Sequence, residues 1–184
     1  MRNSNTGLCH GTSGSPQESI ESLEYGAKVQ EIENRLKEEF GHSKYPKEVL
    51  SNLGNTERFT EGVIKHIFEG EVNDKGKAVG YHYEGIKNTA GTVVSGTRTT
   101  PNANGVYRGT VKVNGVLKNG FSTFFPREIS PQQVVNAINQ AYANRSFIAG
   151  SFNKFLGKTS SGMLISMFLN KNGKIISAFP EQSQ

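Results

Sequence analysis

Cysteine is all but missing from this chain of 184 residues. Cys9 stands alone, so no internal disulfide can form and stability must come from a packed core. Cys9 sits in a Gly/Ser/Thr-rich segment with only His10 beside it, which reads as an incidental thiol. Long apolar runs are missing too. Nothing approaches the roughly 20 residues that a membrane-spanning helix needs. The opening Met1-Arg-Asn-Ser-Asn-Thr-Gly7 has no apolar signal core, so a chain that leaves its cell needs another carrier. There is no phosphate-cradling glycine loop of the P-loop type, no internal repeat and no carboxylate cluster. Acidic residues are in deficit: the formal net charge is +5. That excess favours a polyanionic partner, nucleic acid first. Apolar residues make up only 34%, which describes a polar, soluble chain of one domain or one domain with an appendage.

What is plentiful is glycine, 21 residues, and with it turns. Residues 1–14 are small and polar and read as a flexible leader. Ser15-Pro16-Gln17-Glu18 has the form of a helix start with a capping box. Tyr25, Val29, Ile32, Leu36 and Phe40 then fall on one helical stripe, with Gly41 as its stop. A short second helix is expected over 46–53, beginning at Pro46. A third is expected from Asn55-Thr56, with Phe59, Val63, Ile64, Ile67 and Phe68 as its buried stripe and Gly70 as its end. The first part of the chain is locally acidic, and the basic excess lies downstream.

Past Gly70 the pattern changes to strands. Residues 78–84 alternate, with Val79, Tyr81 and Tyr83 on one face and Gly80, His82 and Glu84 on the other. Further strands are expected over 91–97 and 106–113. Asn114-Gly115 is a two-residue hairpin signal, and the return strand through Val116, Leu117 and Lys118 is bent by Asn119-Gly120 before Phe121-Ser-Thr-Phe-Phe-Pro126. Ser130-Pro131-Gln132-Gln133 is a second capping box. It opens an amphipathic helix carrying Val134, Val135, Ile138, Ala141 and Tyr142. A hairpin of Met163–Leu169 and Lys174–Phe179 closes the chain, and Pro180 ends it. Helices first, then strands with one inserted helix, predict an α+β fold with antiparallel sheets.

Two of the four histidines, His66 and His82, flank one glycine-marked turn. Placed on a helix and on a strand, they can face each other across a cleft and supply an acid and a base. Lys118 and Ser122 flank the bent strand, and Ser177 lies on the terminal one. Two histidines, a lysine and hydroxyls suit metal-free cleavage of RNA. One imidazole takes the 2′-OH proton, the other protonates the leaving 5′-oxygen, and a cation holds the phosphorane charge. In a straight strand Lys118 and Ser122 would stand about 13 Å apart, too far to serve one phosphate together, though the bend can change that. A phosphate track drawn from Lys65, Lys75, Lys77, Lys87, Arg98 and Arg108 and a merely scattered basic surface are both compatible with the sequence. Tyr81, Tyr83 and Tyr107 read as core. For a zinc site, only Cys9, His10 and His42 are left to join the histidine pair, so no metal or other cofactor is expected.

Several motifs occur together: His66-Ile-Phe-x-Gly-Glu71, Gly80-Tyr-His82, Lys118-x-x-x-Ser122 leading to Phe-Phe-Pro126, Ser161-Gly162, and Gly173-Lys-Ile-Ile-Ser177-Ala-Phe179-Pro180. In this order, over about residues 57–181, the chain resembles the EndoU-like endoribonucleases, most closely the bacterial EndoU toxin domains. The resemblance implies a fold related to EndoU and pancreatic ribonuclease. It implies His82 as base, His66 as acid and Lys118 as the catalytic cation. Ser122 with Thr123, and Ser177 with Phe179, are implied to hold the substrate, Ser122 being linked to uracil recognition. Where the family pattern ends in threonine-x-tyrosine, this chain has Ser177 and Phe179, keeping the ring and losing its hydroxyl, so a uridine preference carries over least well. The products implied are a 2′,3′-cyclic phosphate and a 5′-hydroxyl. Domains follow as 1–56, a leader and helical segment, and 57–184, the nuclease. The resemblance further implies an effector at the C-terminal end of a larger secreted or surface protein of the contact-dependent-inhibition or polymorphic-toxin kind. Such an effector acts in the target cell's cytoplasm and is neutralised by an immunity protein. The sequence leaves tRNA and RNA at large both open as substrate. It also leaves open a catalytically silent RNA-binding or protein-interaction module on the same fold, and a metal-dependent hydrolase.

Overall fold

Proline lacks the N–H that a helix's first turn cannot use, so Pro16 suits the start of a long helix. In the computed structural model, which describes residues 16–40 and 43–183, helix α1 runs Pro16–Phe40. Its expected cap, Ser15, and its expected stop, Gly41, lie outside the described residues, as do Cys9, His10 and His42. The 3.6-residue spacing puts Tyr25, Val29 and Ile32 on one face. That face is not buried: Tyr25 is 73% and Ile32 48% exposed. Periodicity aligns side chains but does not supply a surface to receive them. The chain divides into two units, Met1–Glu38 and Glu39–Gln184. Every strand belongs to the second.

Pro46 caps a 3₁₀ helix, Lys47–Asn52, as expected for 46–53. Tyr45, Leu50 and Leu53 pack on the main core, and Tyr45 forms a parallel bridge with Ile86. The next helix is shorter than its apolar spacing predicts. Helix α2 covers only Val63–Phe68, because Gly62, at φ 86°, sets its N-terminus. Phe59 is buried, but as a bridge partner of Ile175 and not as a helical residue.

Among the described residues nine strands form three antiparallel sheets. The first is a ribbon of β1 (Glu71–Val72) and β2 (Ala78–Val79). The second orders β3 (Gly91–Val93), β4 (Tyr107–Val113) and β5 (Val116–Phe124), with the Asn114-Gly115 hairpin where the sequence puts it. The third orders β6 (Ser146–Phe147), β7 (Lys154–Lys158), β8 (Leu164–Leu169) and β9 (Ile175–Pro180). Strand 78–84 of the sequence reading shrinks to Ala78–Val79. Gly80 and Tyr81 adopt positive φ of 75° and 66°, which a strand cannot continue through. Likewise 91–97 stops at Val93. Strands β6 and β7 carry no clean alternation and were not legible.

Helix α3 (Pro131–Ala143) has the reciprocal Ser130–Gln133 capping box that its sequence announces. Val134, Val135, Ile138 and Ala141 repeat at helical spacing and are all fully buried. They pack with Ile165, Met167, Leu169 and Ile175 of the four-stranded sheet and with Ile67 and Phe68 of α2 in the main core. A smaller core, Tyr81, Val93, Tyr107, Val111, Val113 and Phe124 among its members, lies under the three-stranded sheet. The segment joining the two cores is residues 80–86, every one of them buried.

Candidate active site

His66 sits in the last turn of α2, two residues before its end. Glycine at position 70, φ 75°, turns the chain back at once, so Glu71 on β1 returns to the histidine. His66 Nδ1 lies 3.0 Å from Glu71 Oε1. A carboxylate only accepts, so Nδ1 carries a hydrogen and donates it. That leaves Nε2 as the nitrogen not held by the carboxylate. In this structure Nε2 lies 3.2 Å from Ser177 Oγ on β9.

His82 follows the left-handed pair Gly80-Tyr81. The N–H groups of Tyr81 and His82 donate to the carbonyls of His66 and Ile67 at 2.8 and 2.7 Å. The two histidine-bearing segments are therefore bonded backbone to backbone. Only glycine fits at position 80: a Cβ there would meet His66 O at 2.1 Å. The imidazole centroids end 6.3 Å apart, tilted by 42°. His82 Nδ1 donates to Thr123 O at 2.8 Å, the carbonyl again fixing which nitrogen holds the hydrogen. Its Nε2 makes no hydrogen bond among the described residues. Phe179 stacks on the ring at 5.4 Å and 24°. His82 is only 5% exposed, so the open polar face that strand alternation promised is instead a covered slot. Burial pushes its pKa well below the ordinary 6.5, and the nearby Lys118 charge adds to this. The Thr123 bond opposes both, and His66 contributes a further lowering. At neutral pH His82 is the uncharged imidazole, ready to accept a proton.

Lys118 and Ser122 touch, contrary to straight-strand geometry. The β4–β5 register steps between Thr110↔Phe121 and Lys112↔Leu117, so Lys118, Asn119 and Gly120 lie opposite Val111 alone. This double bulge, with Gly120 at φ 77°, gathers the strand. Lys118 Nζ donates to Ser122 Oγ at 2.6 Å and to Gly80 O at 3.0 Å. An ammonium has three donors, which leaves one for a substrate oxygen. Burial lowers the Lys118 pKa to about 8, so at pH 7 it remains mainly a cation. Ser122 Oγ also donates to Gly80 O, at 3.2 Å. Thr123 reaches the site through its backbone carbonyl. Its hydroxyl is buried with no partner among the described residues.

The structure thus brings His66, His82, Lys118, Ser122, Ser177 and Phe179 together, with Thr123 behind His82. The phosphate track does not survive intact. Arg98, with 7% of its side chain exposed, forks onto Glu84 at 2.9 and 2.7 Å, and Tyr107 donates to the same carboxylate at 2.7 Å. A buried carboxylate needs such partners, and it takes Arg98 inward. Lys65, Lys75, Lys77, Lys87 and Arg108 remain exposed. Tyr81, Tyr83 and Tyr107 are core, as expected. Sequence reasoning missed Glu71 as the partner of His66. The only signal was a carboxylate straight after the helix-ending glycine. It also missed the carbonyls of Gly80 and Thr123, which no side-chain pattern reports.

The family model described as bacterial EndoU nuclease matches residues 60–182. A curated protein named Toxin, from Bacillus cereus, is 47% identical over 152 residues, which is 81% of this chain and 28% of that protein. The chain therefore spans little more than a quarter of that relative's length. No solved structure matches.

Proposed function

The chain belongs to the bacterial EndoU nuclease family, and from that premise we propose that it is a metal-independent endoribonuclease acting as a toxin. The observation that carries this reading is the pair of imidazoles 6.3 Å apart, each with Nδ1 tied to an acceptor and Nε2 left for chemistry. His82 Nε2 takes the proton of a ribose 2′-OH. The 2′-oxygen attacks the adjoining phosphorus, and the P–O5′ bond breaks as His66 Nε2 delivers a proton to the departing oxygen. The remaining N–H of Lys118 faces the non-bridging oxygen on which charge builds. The fragments end in a 2′,3′-cyclic phosphate and a 5′-hydroxyl. Ser122 and Phe179 hold the nucleotide, and Ser177 releases His66 Nε2 when the substrate enters.

The name of the Bacillus cereus relative and its greater length support an effector carried by a larger secreted or surface protein into a target cell. Residues 39–184 hold seventeen Lys and Arg against ten Asp and Glu. That balance suits both RNA and an acidic immunity protein laid over the site. The test is RNA cleavage in excess EDTA by the parent, His82→Ala and Lys118→Ala, with both ends of every fragment mapped. Cyclic-phosphate ends from the parent, and losses of about 10²–10⁴-fold in the histidine variant, are expected. A folded parent that binds RNA without cutting it would replace this reading with a silent binding module, in keeping with the missing hydroxyl at Phe179.

A further inference from the structure

We infer that the four-stranded sheet carries a second nucleotide subsite, built from Phe168 and Lys154 beside Phe179, for the residue of RNA that adjoins the cleaved phosphodiester. This rests on the ribonuclease reading above and extends it. Antiparallel partners share a face, and the register Lys154↔Phe168↔Ser177 sets one residue from each of β7, β8 and β9 in a row. Ser177 is the end of that row that meets His66. The other two therefore stand on the same side of the sheet as the site, at successive strand spacings of about 5 Å. The opposite face, Ile165, Met167 and Ala178, is the core.

The row is shaped for a base and a phosphate. The Phe168 ring lies 6.2 Å from Phe179 at 35°, and Phe179 stacks in turn on His82. Two partly buried aromatic rings thus lead away from the imidazole base. Lys154 Nζ is held 5.7 Å from the Phe179 centroid, and Glu181 at 3.5 Å steadies it there. Glu181 is itself bonded to Ser166 at 2.5 Å. A cation beside paired rings is the composition that tracks single-stranded nucleic acid: rings for bases, ammonium for the backbone. The backbone of Lys154 stands two strands, about 10 Å, from that of Ser177, and its Nζ lies beside Phe179 and not in the group that Lys118 forms with Ser122 and Gly80, which suits a neighbouring phosphate. Core packing does not require an aromatic at 168, since its side chain faces away from α3.

The experiment compares kcat/KM for the dinucleotide the protein cleaves best with the same dinucleotide lengthened by one nucleotide on its 5′ or 3′ side. In the parent, one extension is expected to raise kcat/KM. Phe168→Leu, which keeps apolar bulk without a stacking face, should cut the ratio of extended to dinucleotide rates by about 5- to 100-fold. Lys154→Gln should reduce the same ratio and flatten its dependence on salt. Equal losses on both substrates would make Phe168 a support for Phe179 only and overturn the subsite, as would a parent that gains nothing from either extension. A parent that cleaves neither substrate sinks the ribonuclease reading itself, and the subsite with it.

Discussion

At the scale of single residues, the site separates two imidazoles by surroundings. His82 is buried beside a cation, and both effects lower its pKa below 6.5. The limb of kcat/KM that reports deprotonation of the base should therefore lie below pH 6.5, and whatever the Lys118 charge contributes to the rate should be lost above about pH 8. Lys118→Met removes the second of these lowering causes. The His82 pKa, read from the imidazole carbon resonances in an NMR titration, should rise toward its ordinary value. A fall, or no change, would mean that Lys118 does not act on His82. Stability follows the same sign. As pH drops through about 6.5 the unfolded chain protonates at His82 while the folded one does not, so folding is weakened in that direction. The two histidines were legible in sequence because histidine is scarce, with four in the chain, and Lys118, one of fourteen lysines, was legible only through its spacing to Ser122 in the family motif. Glu71 was not. One glutamate among many gives no sign that a left-handed glycine folds it back onto a histidine.

At the scale of elements, the segment 80–86 matters more than any strand. It is irregular and buried, and it bonds to α2 through two backbone hydrogen bonds and to Phe125, just past β5, whose N–H donates to His82 O at 2.8 Å. Glu84 anchors it from behind through Arg98 and Tyr107. Alternation of polar and apolar residues suggested a strand here because a segment clamped between two cores can also point successive side chains in opposite directions. The same limit explains α2: its apolar spacing was right, but Gly62 and the bridge of Phe59 to Ile175 claimed its first turns. By contrast α3 and the β4–β5 hairpin were readable residue by residue, because a capping box and an Asn-Gly turn are local signals. Gly80→Ala should test the clamp. The added methyl meets a carbonyl at 2.1 Å in a left-handed conformation. A loss of about 2–4 kcal/mol in chemical denaturation is expected, with cleavage falling further than the folded fraction. Unchanged stability would show that the segment yields.

At the scale of the whole molecule, charge and folding divide the chain. The unit Met1–Glu38 holds six Asp and Glu against four Lys and Arg, while residues 39–184 are strongly basic. A chain beginning at Glu39 should keep its melting temperature within a few degrees and its cleavage in EDTA within about threefold, with the salt dependence of RNA binding undiminished. A large loss of either would show that the first unit supports the site. The total charge and the α+β class were visible in composition and element order. The absence of any buried stripe among the described side chains of α1 was not, since burial depends on a partner that periodicity cannot name.

Two residues that meet in the candidate site are far apart along the chain: His66 and Ser177 are separated by 111 residues. His66, His82, Lys118 and the carbonyls of Gly80 and Thr123 are complete by residue 123, but Ser177 and the ring over His82 arrive only with β9, after every other described strand. During synthesis at about 5–20 residues per second, roughly 6–22 seconds pass between His66 and Ser177. For that interval a ribosome carries a chain whose candidate site is unfinished. On the toxin reading proposed above, a cell that makes this protein has that time to bring an immunity protein to it before β9 docks.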